Sequence, residues 1–185
     1  SWMHLTELLL DPKTPNPEEV SRHKRLLKRA NELDIEVTAM SHEWFLPEGC
    51  RQKKGHAMPP RDLTEGSLYM QALDLLEESW HTMAGLFPEV SIWEVGNEWN
   101  LNAFLHPDGF LDGDMSKPFS SDEKMDIAVD MMYYAARGIR RANPKALVAS
   151  FSPALSTPGL GGDMRVACGA DNAAFADADG RMVVA

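Results

Sequence analysis

Residues 92 to 100 read Ile-Trp-Glu-Val-Gly-Asn-Glu-Trp-Asn, and they set the architecture expected of the whole chain. The apolar run from Val90 to Val95, closed by a glycine, predicts a buried strand. Asn97 and Glu98 would then lie at the carboxyl end of that strand. Since α/β proteins keep their reactive groups at the carboxyl ends of parallel strands, this pair is the first candidate for a functional site.

The segments around this strand alternate between predicted helices and predicted strands. Helices are predicted at 16–33, 67–86 and 121–142, and strands at 35–40, 90–95 and 146–151. Residues 2–10 are interpreted as the remnant of a further strand or its exit loop. Because parallel strands need long crossover connections, this order predicts a parallel sheet built from right-handed βαβ units.

The sequence Trp-Glu-x-Gly-Asn-Glu resembles the strand-four signature of a clan of retaining glycoside hydrolases built on (β/α)8 barrels. In that clan the Glu is the general acid/base and the Asn before it holds the 2-hydroxyl of the sugar. The resemblance implies these roles for Glu98 and Asn97. It covers about residues 1–155 and implies an α/β fold, an incomplete TIM barrel with parallel strands two to five and alternating helices.

The chemistry of glycoside cleavage gives Glu98 a rationale of its own. The leaving oxygen needs a proton at neutral pH, so the donor must be a carboxylic acid whose pKa is raised by apolar walls and nearby negative charge. Trp93 and Trp99 stand on either side of Glu98 in the sequence and would supply such walls. A regular strand would place Glu94 and Glu98 on one face, unless Gly96 breaks the register.

A second candidate region follows the predicted strand at 35–40. Val-Thr followed by a His, an aromatic residue and Leu-Pro is similar to strand three of several clan members, where a histidine or aromatic residue borders the sugar subsite. The resemblance implies that His42 and Trp44 line this subsite together with Trp99. Considered as residues alone, His42 fits a hydrogen-bonded structural histidine equally well, and Trp44 fits a core or lid residue.

A retaining mechanism needs a second carboxylate, about 5–5.5 Å from the first, and in this clan it is a Glu on strand seven. No Glu follows Glu123 in the chain. We therefore expect a fragment of a retaining glycoside hydrolase that carries the acid/base Glu98, lacks the nucleophile and is inactive alone. The alternative is a catalytically inactive carbohydrate-binding protein of the same fold. No cofactor is expected, because the chemistry needs two carboxylates and water.

Metal chemistry is a further alternative. Glu43, Glu94 and Glu98 could bind a metal ion with His42, but His42-Glu43 lacks the spacing of a zinc motif. The acidic loop 102–120 does not follow the EF-hand spacing and is expected to be solvated. We therefore expect no metal site.

Residues 156–185 are expected to form a Gly-rich loop and a β-hairpin that turns at Asp179-Gly180. This hairpin resembles those of β-sandwich domains that accompany some glycosidase barrels. The segment is therefore either a truncated loop or part of an accessory sandwich. Cys50 and Cys168 have no metal-ligand spacing, and whether they form a disulfide stays open.

Composition limits the partners. The chain has 185 residues, of which 44% are hydrophobic and 25% charged, as is usual for a soluble globular protein. A net charge of −10 argues against nucleic-acid or anionic-membrane partners, and an oligosaccharide or polysaccharide is the expected partner. No apolar run reaches about 18 residues, so no transmembrane helix is expected. The chain could be cytoplasmic, or secreted with its leader absent, and an incomplete barrel is expected to self-associate through its open edges.

Overall fold

A computed structural model describes residues 2–110 and 117–151, together with the backbone of two short strands at 175–176 and 182–183. The helices are α1 (Leu5–Leu8), α2 (Pro17–Glu32), α3 (Leu68–Leu86) and α4 (Ser121–Ala142). The strands are β1 (Leu9–Asp11), β2 (Thr14–Pro15), β3 (Thr38–Ser41), β4 (Trp44–Phe45), β5 (Lys54–Gly55), β6 (Ala57–Met58), β7 (Ile92–Val95), β8 (His106–Pro107), β9 (Leu147–Ser150), β10 (Phe175–Ala176) and β11 (Met182–Val183).

Strand β7 lies in the centre of a three-stranded parallel sheet ordered β3-β7-β9. Helix α3 connects β3 to β7 and helix α4 connects β7 to β9. Trp2 forms an isolated parallel bridge with Met40 of β3, so the segment before α1 runs alongside the sheet like a strand remnant. This arrangement confirms the predicted α/β fold with parallel βα units, which resembles part of a TIM barrel. The described residues do not close a barrel.

Strands β3 and β7 begin later than their sequence patterns predicted. The residues between α2 and β3 form a turn before the strand begins. In this turn Asp34 has φ 54° and the Ile35 N–H donates to the Ala30 carbonyl. The segment before β7 likewise forms a turn, in which the Val90 N–H donates to the Phe87 carbonyl. Apolar composition predicted where a strand would be, but these turns decide where pairing starts.

Helices α3 and α4 start close to the predicted positions because capping residues mark their first turns. The Ser67 hydroxyl accepts from the Met70 N–H at the start of α3. Helix α4 starts one residue after Ser120, which forms a capping box with Glu123.

Helices α3 and α4 pack closely against each other, and α3 also packs on the sheet. The indole of Trp80 on α3 meets that of Trp93 on β7 edge-on, with centroids 5.8 Å apart. Arg137 and Arg141 of α4 both form ion pairs with Glu77 of α3, at 3.2 and 2.9 Å. These contacts fix the two crossover helices with respect to each other, and α3 with respect to the central strand.

Strands β10 and β11 pair antiparallel, with Phe175 opposite Val183. The predicted turn at Asp179-Gly180 lies between them and outside the described residues, as do Cys168 and residues 111–116 of the acidic loop. Because residues 152–174 also lie outside that part of the chain, the division at 155/156 stays a prediction. Across the described segments, no helix is both long and apolar enough to cross a bilayer.

Gly138 should be essential for the packing of α3 against α4. A Cβ added there would lie 2.2 Å from the Glu77 backbone carbonyl oxygen, so Gly138→Ala has to push the helices apart. We expect a loss of about 1–3 kcal/mol in the free energy of unfolding, as is usual for overpacking. Chemical denaturation followed by circular dichroism measures this.

Gly85→Ala is the matched control, because it is also helical but its Cβ would meet only the Ala142 Cβ at 4.0 Å. Alanine favours helix over glycine by up to about 1 kcal/mol, so this variant should be neutral or slightly stabilised. Equal stability of the Gly138→Ala variant and the parent chain would contradict the packing described here.

Candidate active site

The tip of β7 departs from regular strand geometry where the candidate residues begin. Along the strand, Trp93 and Val95 are buried while Glu94 is half-buried, as alternation predicts. Gly96 then adopts φ 88° and Glu98 φ 47°. The alternation therefore stops at Gly96, and Glu98 is placed by a turn rather than by the strand.

Glu98 is held in the left-handed region, which costs a residue other than glycine about 1–2 kcal/mol. The Leu101 N–H donates to the Glu98 carbonyl at 2.8 Å and stabilises the turn. Strained backbone of this kind persists only where the surroundings impose it, and it is concentrated at functional sites. Asn97 and Glu98 are both half-buried.

Helix α4 anchors the turn from the other side. The ammonium of Lys124 donates to the Asn100 carbonyl at 3.0 Å and to the side-chain oxygen of Asn102. Lys124 is only 8% exposed, and its burial lowers the pKa of its amine. Sequence reasoning missed this residue. Its position in the first turn of α4 was visible, but its distant partners were not.

Trp99 closes the space beneath the turn. A Cβ on Gly96 would lie 2.5 Å from Cε2 of Trp99, so glycine is required both for its positive φ and for the closeness of this indole. The Trp99 ring also meets Trp44 edge-on, with centroids 6.0 Å apart, and packs on Phe151 at 5.0 Å. The turn that carries Glu98 thus rests on a buried aromatic layer.

The tip of β3 lies beside the tip of β7. The Gly96 N–H donates to the Ser41 carbonyl at 2.8 Å, so His42 and Glu43 emerge at the same edge of the sheet as Asn97 and Glu98. His42 is 9% exposed. The structure thus brings the two predicted regions to one edge.

His42 belongs to a group of residues that we call the histidine cluster, made up of His4, His42, His56 and Glu43. The rings of His4 and His42 meet edge-on with centroids 4.7 Å apart, and His56 stacks on His42 at 4.9 Å. Trp2 and Phe104 pack against His42 at 5.0 and 5.6 Å. Sequence reasoning named His42 and Glu43 but missed His4 and His56, since they come from two other segments of the chain.

Burial shapes the protonation of this cluster. Burial, followed by the charges of His56 and His4, lowers the pKa of His42 to about 4. Burial also lowers the pKa of His56. For Glu43, burial would raise the pKa, but the hydrogen bond from the Thr6 hydroxyl and the nearby histidines hold it below its usual value. At neutral pH the cluster therefore has a neutral imidazole at His42 next to an ionised carboxylate.

A comparison with solved structures identifies the architecture. The GH5-4 broad specificity endoglucanase from Clostridium longisporum superposes with a TM-score of 0.51 and 17% identity, over 76% of this chain and 36% of that one. Endo-glycoceramidase II from Rhodococcus sp., in its cellobiose-like isofagomine complex, gives a TM-score of 0.51 and 14% identity, over 84% and 41%. These matches show that the chain has the fold of part of a (β/α)8 barrel.

The partial barrel spans about two fifths of the length of these solved structures. No protein-family model matches the chain, and no curated protein matches it. At identities of 14–17%, these matches show a similar fold and nothing finer. The shared fold agrees with the barrel fold that the sequence around Asn97 and Glu98 resembles.

Two of the predicted subsite residues lie deep in the partial barrel. Trp44 is 1% exposed and Trp99 is 2% exposed, and the Trp44 Nε1–H donates to the Ala57 carbonyl at 2.7 Å. A sugar could stack on either indole only after part of a ring face became accessible. Their role in a subsite stays a prediction.

A separate groove of 630 Å³ lies away from the Asn97-Glu98 turn. Its lining residues are Thr6, Glu7, Leu9, Leu10, Asn16, Glu19, Arg22, Phe45, Lys53 and Lys54. One of these lining residues, Thr6, donates a hydrogen bond from its hydroxyl to Glu43 of the histidine cluster. We therefore place the candidate active site at the edge formed by β3 and β7 and not in this groove.

Gly96→Ala should displace the Trp99 indole, because the new methyl group would overlap its ring. We expect changes in tryptophan fluorescence and in the near-ultraviolet circular dichroism spectrum. The free energy of unfolding should fall by more than about 1–2 kcal/mol, which is the cost of a positive φ alone.

Gly66→Ala separates the two causes. Gly66 has φ 79°, but nothing lies within 4 Å of its added Cβ. This control should show only the backbone cost and an unchanged tryptophan signal. If both variants alter the aromatic spectra alike, the close approach of Trp99 to Gly96 is wrong.

Proposed function

We propose that this chain carries the acid/base half of a retaining glycoside hydrolase, with Glu98 as the general acid/base and Asn97 as the residue that binds the 2-hydroxyl of the sugar. The observation that supports this most strongly is the left-handed backbone of Glu98, directly beyond the carboxyl end of the central parallel strand. That is the edge of a (β/α)8 barrel at which catalytic residues lie.

In the first step, Glu98 gives its proton to the glycosidic oxygen while a second carboxylate attacks the anomeric carbon and forms a glycosyl ester. In the second step, Glu98 takes a proton from water, and the resulting hydroxide equivalent releases the sugar from the ester. No Glu follows Glu123, so we propose that the nucleophile belongs to a part of the protein beyond these 185 residues. The chain alone is then expected to be inactive.

The substrate in this proposal is an oligosaccharide or polysaccharide. The endoglucanase and the endo-glycoceramidase in its cellobiose-like isofagomine complex support this class, because they share the fold. The net charge of −10 is compatible with a neutral glycan and unfavourable for a polyanion. His42, Trp44 and Trp99 are proposed to line the sugar subsite next to Glu98.

A catalytically inactive carbohydrate-binding protein is the second candidate. Sugar binding needs no nucleophile, so this candidate requires no carboxylate other than those in the chain. Calorimetric titration of the chain with a panel of neutral oligosaccharides, combined with a sensitive assay for reducing ends in the longest available form of the protein, distinguishes the two. Binding without turnover in that form would support this candidate over the hydrolase.

We also propose that the partial barrel self-associates. Leu147, in the outer strand β9, is 63% exposed, and Ile35 near the start of β3 is 55% exposed. Edge strands with exposed apolar side chains promote pairing between chains. Sedimentation over a range of concentrations should show dimers or larger species, and a monomer at every concentration would overturn this proposal.

Glu98→Gln tests the acid/base role in a form of the protein that includes the nucleophile. We expect a loss of about 10²–10⁴-fold in kcat on substrates with poor leaving groups, which need protonation of the departing oxygen. Aryl glycosides with activated leaving groups should lose much less, because they depart without a proton. Measuring kcat against leaving-group pKa for the parent and the variant gives this comparison.

Glu94→Gln is the control, since Glu94 lies on β7, just before the turn that carries Glu98, and is half-buried like Glu98. Its effect should not depend on the leaving group. If Glu98→Gln impairs both substrate types equally, or if Glu94→Gln shows the stronger dependence on the leaving group, the acid/base assignment is wrong.

A further inference from the structure

The histidine cluster is built on two chain segments whose backbones are fixed against each other. On one side of His4, the Met3 N–H donates to the Met40 carbonyl at 2.8 Å. On the other side, the Leu5 N–H donates to the Ser41 hydroxyl oxygen at 3.0 Å. Since His42 follows Ser41 directly, these two bonds hold His4 and His42 side by side independently of any ligand.

Three side chains of the cluster bring possible metal-ligand atoms close to one another. One ring nitrogen each of His4 and His42 and one carboxylate oxygen of Glu43 all lie within 4.8 Å of one another. Atoms that bind one tetrahedral zinc ion, at about 2.0–2.2 Å each, lie about 3.3–3.6 Å apart. Side-chain rotations that bring the most distant of these atoms about 1–1.5 Å closer together would therefore place all three at bonding distance.

Three ring nitrogens of this cluster lack hydrogen-bond partners, although they are buried. Nδ1 of His4, Nδ1 of His42 and Nε2 of His56 are each buried without a hydrogen-bond partner. Most buried side-chain polar atoms in proteins are paired, so three unpaired imidazole nitrogens in one cluster call for an explanation. An ion bound through Nδ1 of His4 and Nδ1 of His42 would satisfy the first two.

The surroundings also have the features of a metal site. The Thr6 hydroxyl donates to Oε2 of Glu43, which orients the carboxylate and leaves its other oxygen available. The rings of Trp2 and Phe104 pack on His42 and form an apolar shell. The ring planes of His56 and His42 make an angle of 25°, so the two rings are stacked and their nitrogens do not face one another. His56 therefore packs against His42 and is not counted as a ligand.

From this geometry we infer that His4, His42 and Glu43 bind a divalent transition-metal ion of the zinc type, which fastens the segment before α1 to the tip of β3. Two imidazole nitrogens and one carboxylate oxygen suit Zn²⁺ better than Mg²⁺ or Ca²⁺, which prefer oxygen ligands. Three protein ligands leave a fourth position for water or another oxygen ligand.

This inference differs from the metal site considered for the sequence, which joined Glu43, Glu94 and Glu98 to His42. Among the described residues, the group with converging ligand atoms contains neither Glu94 nor Glu98. It also goes beyond the proposed hydrolysis, which needs no metal ion. With the ion bound, His42 would be a ligand and would not donate to a sugar hydroxyl itself.

Binding is tested with the 185-residue chain, free of any histidine tag and stripped with a chelator. Titration with Zn²⁺ in a calorimeter should give one equivalent of bound ion. In an NMR spectrum of the histidine side chains, Zn²⁺ should shift the imidazole signals of His4 and His42. This second readout needs no substitution, so it does not depend on whether a variant folds.

Two substitutions then assign the ligands. His4→Gln and Glu43→Gln remove a ligand from half-buried positions, and each should weaken Zn²⁺ binding by more than about tenfold, since even the outer partners of metal ligands are worth about 10–100-fold. Far-ultraviolet circular dichroism confirms that both variants are folded.

His81→Gln is the matched control. His81 lies on α3, is half-buried and also has a buried Nδ1 without a partner, but it is not part of the cluster. Its loss should leave Zn²⁺ affinity unchanged. The inference is overturned if the parent chain binds no stoichiometric Zn²⁺, if the signals of His4 and His42 do not move, or if His81→Gln weakens binding as much as His4→Gln.

Discussion

Strand β7 is paired in parallel on both sides, with Thr38 of β3 and Leu147 of β9 both opposite Ile92. Because all three strands run in the same direction, their carboxyl ends meet at one edge. The hydrogen bond from the Gly96 N–H to the Ser41 carbonyl carries this alignment past the ends of β3 and β7. Two regions that are distant in the chain, around His42 and around Glu98, become neighbours through this pairing.

The turn that carries Glu98 depends on support from outside the sheet. Its backbone is strained, and a strained turn persists only if its surroundings hold it. Trp99 packs beneath Gly96, and Lys124 of α4 binds the carbonyl of Asn100. Helix α4 is fixed in turn against α3 through the close approach at Gly138. Packing between the two crossover helices thus helps to determine where a candidate catalytic carboxylate lies.

Two kinds of chemistry with different requirements are proposed for the same edge. A general acid needs a carboxylate that can keep or regain its proton, and Glu98 stands in a half-buried turn on an aromatic layer. A metal site needs several ligand atoms close to one another, and Glu43, His4 and His42 provide such a group. The hydrogen bond from the Thr6 hydroxyl orients the Glu43 carboxylate beside the two histidines.

The sequence by itself determined the α/β class, the order of helices and strands and the ends of α3 and α4. These features follow from local causes, since apolar periodicity and capping residues such as Ser67 act within a few residues of each other. It also singled out Asn97 and Glu98, because a polar pair directly after an apolar strand is a local pattern.

The tertiary structure alone decided the first paired residues of β3 and β7, the left-handed backbone of Glu98, the anchoring role of Lys124 and the meeting of His4 with His42. Each of these depends on groups brought together from separate segments. The sequence shows which side chains are available, but their distances are set by strand pairing and helix packing, which involve the whole chain at once.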